Sequence, residues 1–320
     1  MKKVRTDADR IRAFAEYLSA EGRPAPFDFC SLNAGITYPA PGLDGVLEYF
    51  FFCCAHQFGF WNLQNGRWIS PMIARLDGRD LKGSDYVWTA ATRALRKNPD
   101  IFSPHALANL NGNELNDLFL DDGAANPLPM WPEHLELTRQ YADWFTTRKL
   151  QPADILHRAA AARRPLQMLL DLLAEVPGYA EDPLQKKAML LAIVLENRPE
   201  HFLNVTDPDS ARPIIDYHLQ RSALRTGLVV VEDPALRARL EAREEATAGE
   251  EALIRSVVYE SIVALVRLSG LSVAAVDWFF FKNRTGCPEM TEPQCAACPV
   301  RHICARSTKL FQPVFRTTYY

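Results

Sequence analysis

A mainly α fold is predicted by three features of this sequence. Beyond Asp100, apolar residues recur at intervals of three and four over long stretches, the period of a helix with one buried face. Pro132 and Pro183 stand where two of these stretches begin, and at a helix start a missing N–H costs nothing. Hydrophobic residues make up 48% and charged residues 23% of the chain, the composition of a folded protein.

The first hundred or so residues mix aromatic runs with Gly/Pro punctuation, as in PAPGLDG and SPMIARLDGRDLKG, consistent with short helices and a small hairpin. Helical patterns follow in PEHLELTRQYADWFTTR, ADILHRAAAARRPLQMLLDLLAEV and PLQKKAMLLAIVLEN. A longer one runs from Ala235 to Leu268, interrupted near Gly249, and SVAAVDWFFFK makes a last helix. The boundaries expected from this order are an N-terminal mixed subdomain at 1–130, a helical domain at 131–286, a cysteine loop at 287–304 and a tail at 305–320. With 320 residues, one large domain or two smaller ones would be ordinary.

The formal net charge of −3 disfavours a dedicated duplex-DNA binder, though it leaves room for a local basic patch. MKKVRTDADRIRAF lacks an apolar core of signal-peptide type, and no apolar run reaches membrane length. A cytoplasmic protein without a membrane partner is therefore expected. Seven cysteines is an odd number, and four crowd into one short segment, which argues for metal and against disulfides in a reducing compartment. Cys30, Cys53 and Cys54 read as small buried apolar residues.

The crowded segment is GCPEMTEPQCAACPVRHICAR, with Cys287, Cys295, Cys298 and Cys304 spaced C-x7-C-x2-C-x5-C. Four thiolates in one loop can wrap a single metal centre. Zinc sites usually pair two knuckles, and here only Cys295 and Cys298 make one, so a [4Fe–4S] cluster is favoured over zinc. This loop resembles the C-terminal cluster loop of the endonuclease III family, whose first gap is one residue shorter.

Upstream, IDYHLQRSALRT places Asp216, His218, Arg221 and Arg225 at the offsets of the VDTH-x-x-R-x-x-x-R stretch of the helix-hairpin-helix DNA glycosylase superfamily. The resemblance implies a glycosylase-like helical fold with Asp216 as the catalytic carboxylate. Breaking an N-glycosidic bond builds positive charge on the sugar, which a carboxylate beneath the ring stabilises while it positions water. The plainer reading is a helix cap. The glycine-rich hairpin of that superfamily has no match in ENRPEHFLNVTDPDSARPI, and Arg198 stands where its lyases carry a lysine, so a lysine-dependent lyase is not expected.

A second resemblance covers roughly Leu47–Leu228. The queuosine-salvage family of nucleoside and nucleotide N-glycosylases has an Asp-Tyr pair after a K-x-A-Q-x-L run, which LQKKAMLLAIVLE and PIIDYHLQ echo. QFGFW and DYVWTAATRALRKNPDIFSPHALANL echo its upstream motifs. Here His218-Leu219-Gln220-Arg221 replaces that family's Arg-Val-Pro-Gln. The resemblance implies a small-molecule substrate, a 7-deazaguanine (queuosine-type) nucleotide or nucleoside, clamped by Phe60, Trp61, Tyr86, Trp88, Tyr217 and His218, although core packing is an equal reading for each aromatic. His56 and Asp85 are weaker candidates.

The expectation is thus a hydrolase of an N-glycosidic bond centred on Asp216. One alternative is a monofunctional DNA glycosylase acting on a flipped base, its phosphate contacts made by Arg301, His302, Arg306, Lys309 and Arg316, which otherwise read as a solvated basic surface. A second is a non-enzymatic iron–sulfur protein that binds nucleic acid or senses redox state.

Overall fold

The computed structural model describes residues 3–33, 35–65 and 67–320, the side chain of Arg67 excepted. In chain order, β1 (Val4–Thr6) and α1 (Ala8–Tyr17) are followed by α2 (Val46–Ala55). Four short strands come next: β2 (Trp61–Gln64), β3 (Arg67–Pro71), β4 (Ile73–Leu76) and β5 (Arg79–Lys82). Helices α3 (Gly83–Lys97), α4 (Pro104–Asn109), α5 (Gly112–Asp117), α6 (Trp131–Arg148), α7 (Pro152–Ala160), α8 (Pro165–Leu173) and α9 (Lys186–Asn197) follow. The chain closes with α10 (Tyr217–Thr226), β6 (Val229–Val231), α11 (Pro234–Ala242), α12 (Ala248–Ser269) and α13 (Val273–Asn283). The fold is mainly α, as the periodicity predicts. The expected hairpin is present, turning from β4 to β5 through Asp77 and Gly78, both in the left-handed region that a two-residue hairpin turn requires.

Two helix starts differ from the sequence reading. Pro132 is the second residue of α6, as expected, but Pro183 precedes α9. The N-cap Gln185 makes no side-chain cap bond, and the buried Asp182 carboxylate, three residues earlier, accepts from the backbone N–H groups of Leu184 and Lys186 instead. The break expected near Gly249 falls a few residues earlier. Thr247 and Glu250 form a reciprocal capping box that opens α12.

Two compact units interleave along the chain. One comprises Met1–Phe27, Leu63–Ser70 and Arg212–Arg316; the other comprises Asp28–Asn62, Pro71–Ala211 and Thr317–Tyr320. In the first, β1 pairs antiparallel with β6, and α1 packs on α12. Phe14 and Tyr17 of α1 meet Phe280 and Phe279 of α13. No single described helix is long and apolar enough to cross a membrane; α12 and α13 pass that test only as a pair bent by 114°.

The second unit is centred on α2, whose residues Tyr49–Ala55 are all buried. Its core also encloses polar groups. His56 Nδ1 lies 2.9 Å from His134 Nδ1, and Lys187 donates to the carbonyls of Ala55 and Thr318. Burial, then the Lys187 charge, pulls His134 down to about 3; burial, His134 and Lys187 pull His56 well below its ordinary value. An unfolded chain takes up protons at both positions below about pH 6.5, where the folded chain does not, so acid favours unfolding. Stability is expected to fall by about 2 kcal/mol for His134 alone between pH 6.5 and 5. Denaturant titrations across that window check this, and a flat profile would sink it.

Candidate active site and metal centre

The Asp216 motif lies at the opening of α10, in the first unit. Asp216 is the N-cap in extended conformation, and its Oδ1 accepts the Leu219 N–H at 2.9 Å. Its Oδ2 accepts no hydrogen bond from the described residues, and the residue is half-buried. The carboxylate therefore caps the helix through one oxygen only. The buried Arg255 guanidinium holds the preceding backbone, donating from Nε to the Ile215 carbonyl at 3.0 Å. Burial first, then the charges of Asp216 and Glu289, raises the Tyr217 phenol above its ordinary value, with Arg221 and Arg284 opposing.

The other motif residues act on structure. Arg221, 1% exposed, donates to His218 Nδ1 at 3.1 Å and to Gln312, and it pairs with the buried Glu289 at 3.8 Å. Because Arg221 donates, Nδ1 of His218 is the accepting nitrogen. Arg225 reaches the cysteine loop, donating to the carbonyls of Leu310 at 2.9 Å and Pro288 at 2.7 Å, and lying 3.5 Å from Cys287 Sγ. Gln220 is fully buried, and neither amide atom meets a partner among the described residues. Its position four residues after Asp216, on the same helix face, is the signal from which sequence reasoning could have singled it out.

The end of α10 is shaped to meet the loop. Gly227 stops the helix at φ +84°, and a Cβ there would stand 2.6 Å from that of Ala305, so only glycine permits this approach. Ala305 and Ser307 then donate backbone N–H groups to the carbonyls of Thr226 and Arg225. Arg10 of α1 adds a hydrogen bond to the Ile303 carbonyl.

Cys287, Cys295, Cys298 and Cys304 all line one cavity of about 260 Å³, with Phe279, Phe280, Asn283 and Arg225 among its walls. All four are free thiols, half-buried. Burial and the other three sulfurs raise the Cys304 thiol, opposed by the Arg306 N–H. Crowded thiolates repel one another, and a metal centre relieves that repulsion. Among the described residues no three His, Cys, Asp or Glu side chains close on a single-ion position.

The proposed substrate aromatics fall into two groups. Phe60, Trp61, Tyr86 and Trp88 belong to the second unit and are buried there. Tyr86 donates its hydroxyl to the Phe119 carbonyl, and Trp88 packs among Tyr38, Tyr49 and Phe50. His56 is taken up by the His134 pair, and Asp85 lies in the first turn of α3. Cys53 and Cys54 are fully buried and Cys30 nearly so, with burial raising each thiol. Tyr217 and His218 share the first unit with Asp216. There the His218 ring meets Phe281 edge-on at 5.8 Å, next to half-buried aromatics of α13 that the sequence reading passed over.

The chain matches no protein-family profile and no curated protein. A solved structure of a trapped covalent intermediate of endonuclease III with DNA, an estranged-adenine complex, superposes with a TM-score of 0.47 at 13% identity, covering 94% of this chain and 95% of that one. Likeness at this level assigns neither activity nor ligand.

Proposed function

We propose that this chain is a monofunctional N-glycosylase that hydrolyses the bond between a modified base and its sugar in nucleic acid. The observation that carries the reading is the divided use of Asp216, with Oδ1 capping α10 and Oδ2 left over. Oδ2 would face the developing positive charge on the sugar and take a proton from the attacking water. The half-buried aromatics of the same unit suit a base, whereas Phe60, Trp61, Tyr86 and Trp88 are packed in a core. That contrast favours nucleic acid over a free 7-deazaguanine nucleotide. Arg198, buried and bonded to carbonyls, offers no amine for a Schiff base.

The four cysteines suit a [4Fe–4S] cluster better than zinc, because only Cys295 and Cys298 make a C-x2-C knuckle of the kind that structural zinc sites pair. A cluster ligated wholly by cysteine would brace the loop and offer no open coordination position. Arg225 would steady it by holding the Pro288 and Leu310 carbonyls and by lying beside Cys287 Sγ. Arg225→Ala is expected to weaken cluster retention about 10–100-fold, as loss of supporting contacts does at other metal sites. Iron and acid-labile sulfide in anaerobically purified protein check this; zinc in the wild type would overturn the cluster.

The substrate is tested with oligonucleotides carrying deaminated, oxidised, alkylated or 7-deazaguanine bases, in parallel with queuosine monophosphate. Release of a free base and an alkali-labile site from an oligonucleotide is the expected result. Release from the mononucleotide alone would overturn the nucleic-acid assignment and keep the glycosidic chemistry, in line with the Asp216–Tyr217 pair. No release from either would end the reading.

A further inference from the structure

Helix α10 buries four polar side chains, and three of them are engaged. His218 accepts from Arg221, Arg221 also reaches Gln312 and Glu289, and Arg225 holds carbonyls at Pro288 and Leu310. Gln220 is the exception. It is 0% exposed, and neither its carbonyl oxygen nor its amino group meets a partner among the described residues. A buried amide left unpaired at both ends opposes folding, because neither group recovers the hydrogen bonds it made to water. Methionine has nearly the same length and volume and would carry no such penalty.

The place of Gln220 in the chain supplies a reason for an amide there. Its backbone N–H donates to the Asp216 carbonyl at 3.0 Å, so the two residues stand one turn apart at the opening of α10. Helix side chains lean toward the N-terminus, which carries the amide back toward the Asp216 carboxylate. Oδ1 of that carboxylate is taken up by the Leu219 N–H, and Gln220 makes no direct bond to Oδ2. The pair is matched instead to a third group between them, one that donates to Oδ2 and to the amide oxygen. Burial limits its size. An enclosed amide is closed to the edge of a base or to a sugar, whereas a single water molecule is the usual partner of polar groups buried without one.

We infer that Gln220 is a positioning residue for the hydrolytic water, which it holds between its amide and Asp216 Oδ2. This role presupposes the glycosylase reading and deepens it. As the water oxygen bonds to the sugar carbon, the carbon–nitrogen bond breaks and its electron pair leaves with the base. One proton of the water goes to Oδ2 and from there to the departing base. Gln220 accepts a hydrogen bond from the other and exchanges no proton. Its contribution is direction, keeping the water lone pair aimed at the sugar carbon.

Gln220→Met and, as a second apolar replacement, Gln220→Leu test this in the full chain. Both are followed on whichever oligonucleotide carrying a deaminated, oxidised, alkylated or 7-deazaguanine base the wild type processes, with and without dilute methanol. The unfolding midpoint of Gln220→Met is expected to rise by about 2 °C or more, since an unpaired buried amide is removed. Single-turnover excision should slow about 10–100-fold, the effect of a misplaced reactant. Methanol reads the positioning directly. Attack by water leaves an alkali-labile site, while attack by methanol leaves a methyl glycoside that alkali spares. Wild type should give one alkali-labile site for each base released even with methanol present, and both variants should release more base than sites. A lower midpoint in both variants would show that the fold itself partners the amide, and would overturn the inference. Unchanged excision would overturn it too, as would slower excision with the wild-type share of methanol attack, because that is what displacement of Asp216 alone produces. In each of those outcomes base release by the wild type leaves the glycosylase reading standing. No release by the wild type from any of the oligonucleotides would end that reading, and the role of Gln220 with it.

Discussion

Asp216→Asn is expected to slow base excision about 10²–10⁴-fold, the range spanned by a positioned acid–base group, while leaving the fold intact. Asparagine caps a helix about as well as aspartate, so the bond from the Leu219 N–H survives the exchange. The substitution removes the charge on Oδ2, and with it both the stabilisation of a cationic sugar and the acceptance of a proton from water. Single-turnover excision, measured beside thermal unfolding, separates the two roles of the side chain. Undiminished excision by a stably folded variant would show that Asp216 is a cap and nothing more. A large drop in unfolding temperature would instead mean that the carboxylate supports the fold by more than one hydrogen bond.

The largest expected effect on stability belongs to Arg198. Its guanidinium is fully buried, donates to the carbonyls of Phe29 and Pro39, pairs with Glu200 at 2.8 Å and lies 4.8 Å over the Phe50 ring. Removing one partner of a buried pair strands the other, so Arg198→Ala should cost about 3–5 kcal/mol. Much of that cost comes from the stranded acid, and the Arg198→Ala/Glu200→Gln double variant should therefore lose less than the single one does. Urea unfolding of both variants decides the point. Equal losses would place the energy in the two carbonyl contacts and the Phe50 stack. Arg198 is thus a core-forming clamp.

Much of the local structure was legible because it depends on near neighbours in sequence. The apolar periods located α6, α9, α13 and the stretch that divides into α7 and α8, and the Gly/Pro punctuation of the first hundred residues anticipated a small hairpin, found as β4 and β5. Pro183 and Gly249 misled because capping depends on side-chain geometry. Asp182 accepts N–H groups at one helix start and the Thr247–Glu250 box closes the other, and punctuation by residue type does not reveal which side chain reaches back. The aromatic clamp illustrates the same gap at longer range. Phe60, Trp61, Tyr86 and Trp88 are suitable residues for a base pocket, yet burial depends on what surrounds them, and a single sequence contains no record of that. Phe27 and Trp278 lie far apart in the chain and become a stack only when the first unit folds.

By itself, the sequence determined the helical class, the gathering of four cysteines in one loop and the carboxylate that opens α10. Each is set by spacing along the chain, through the period of a helix, the reach of a short loop and the unpaired N–H groups of a helix start. Tertiary structure alone decided that Asp216 caps through one oxygen only, that Arg221 and Arg225 tie α10 to the loop, and that Trp278 and Phe281 of α13 stack half-buried. Those outcomes depend on which distant groups compete for the same hydrogen bonds and the same buried space, a competition resolved only when the chain is packed.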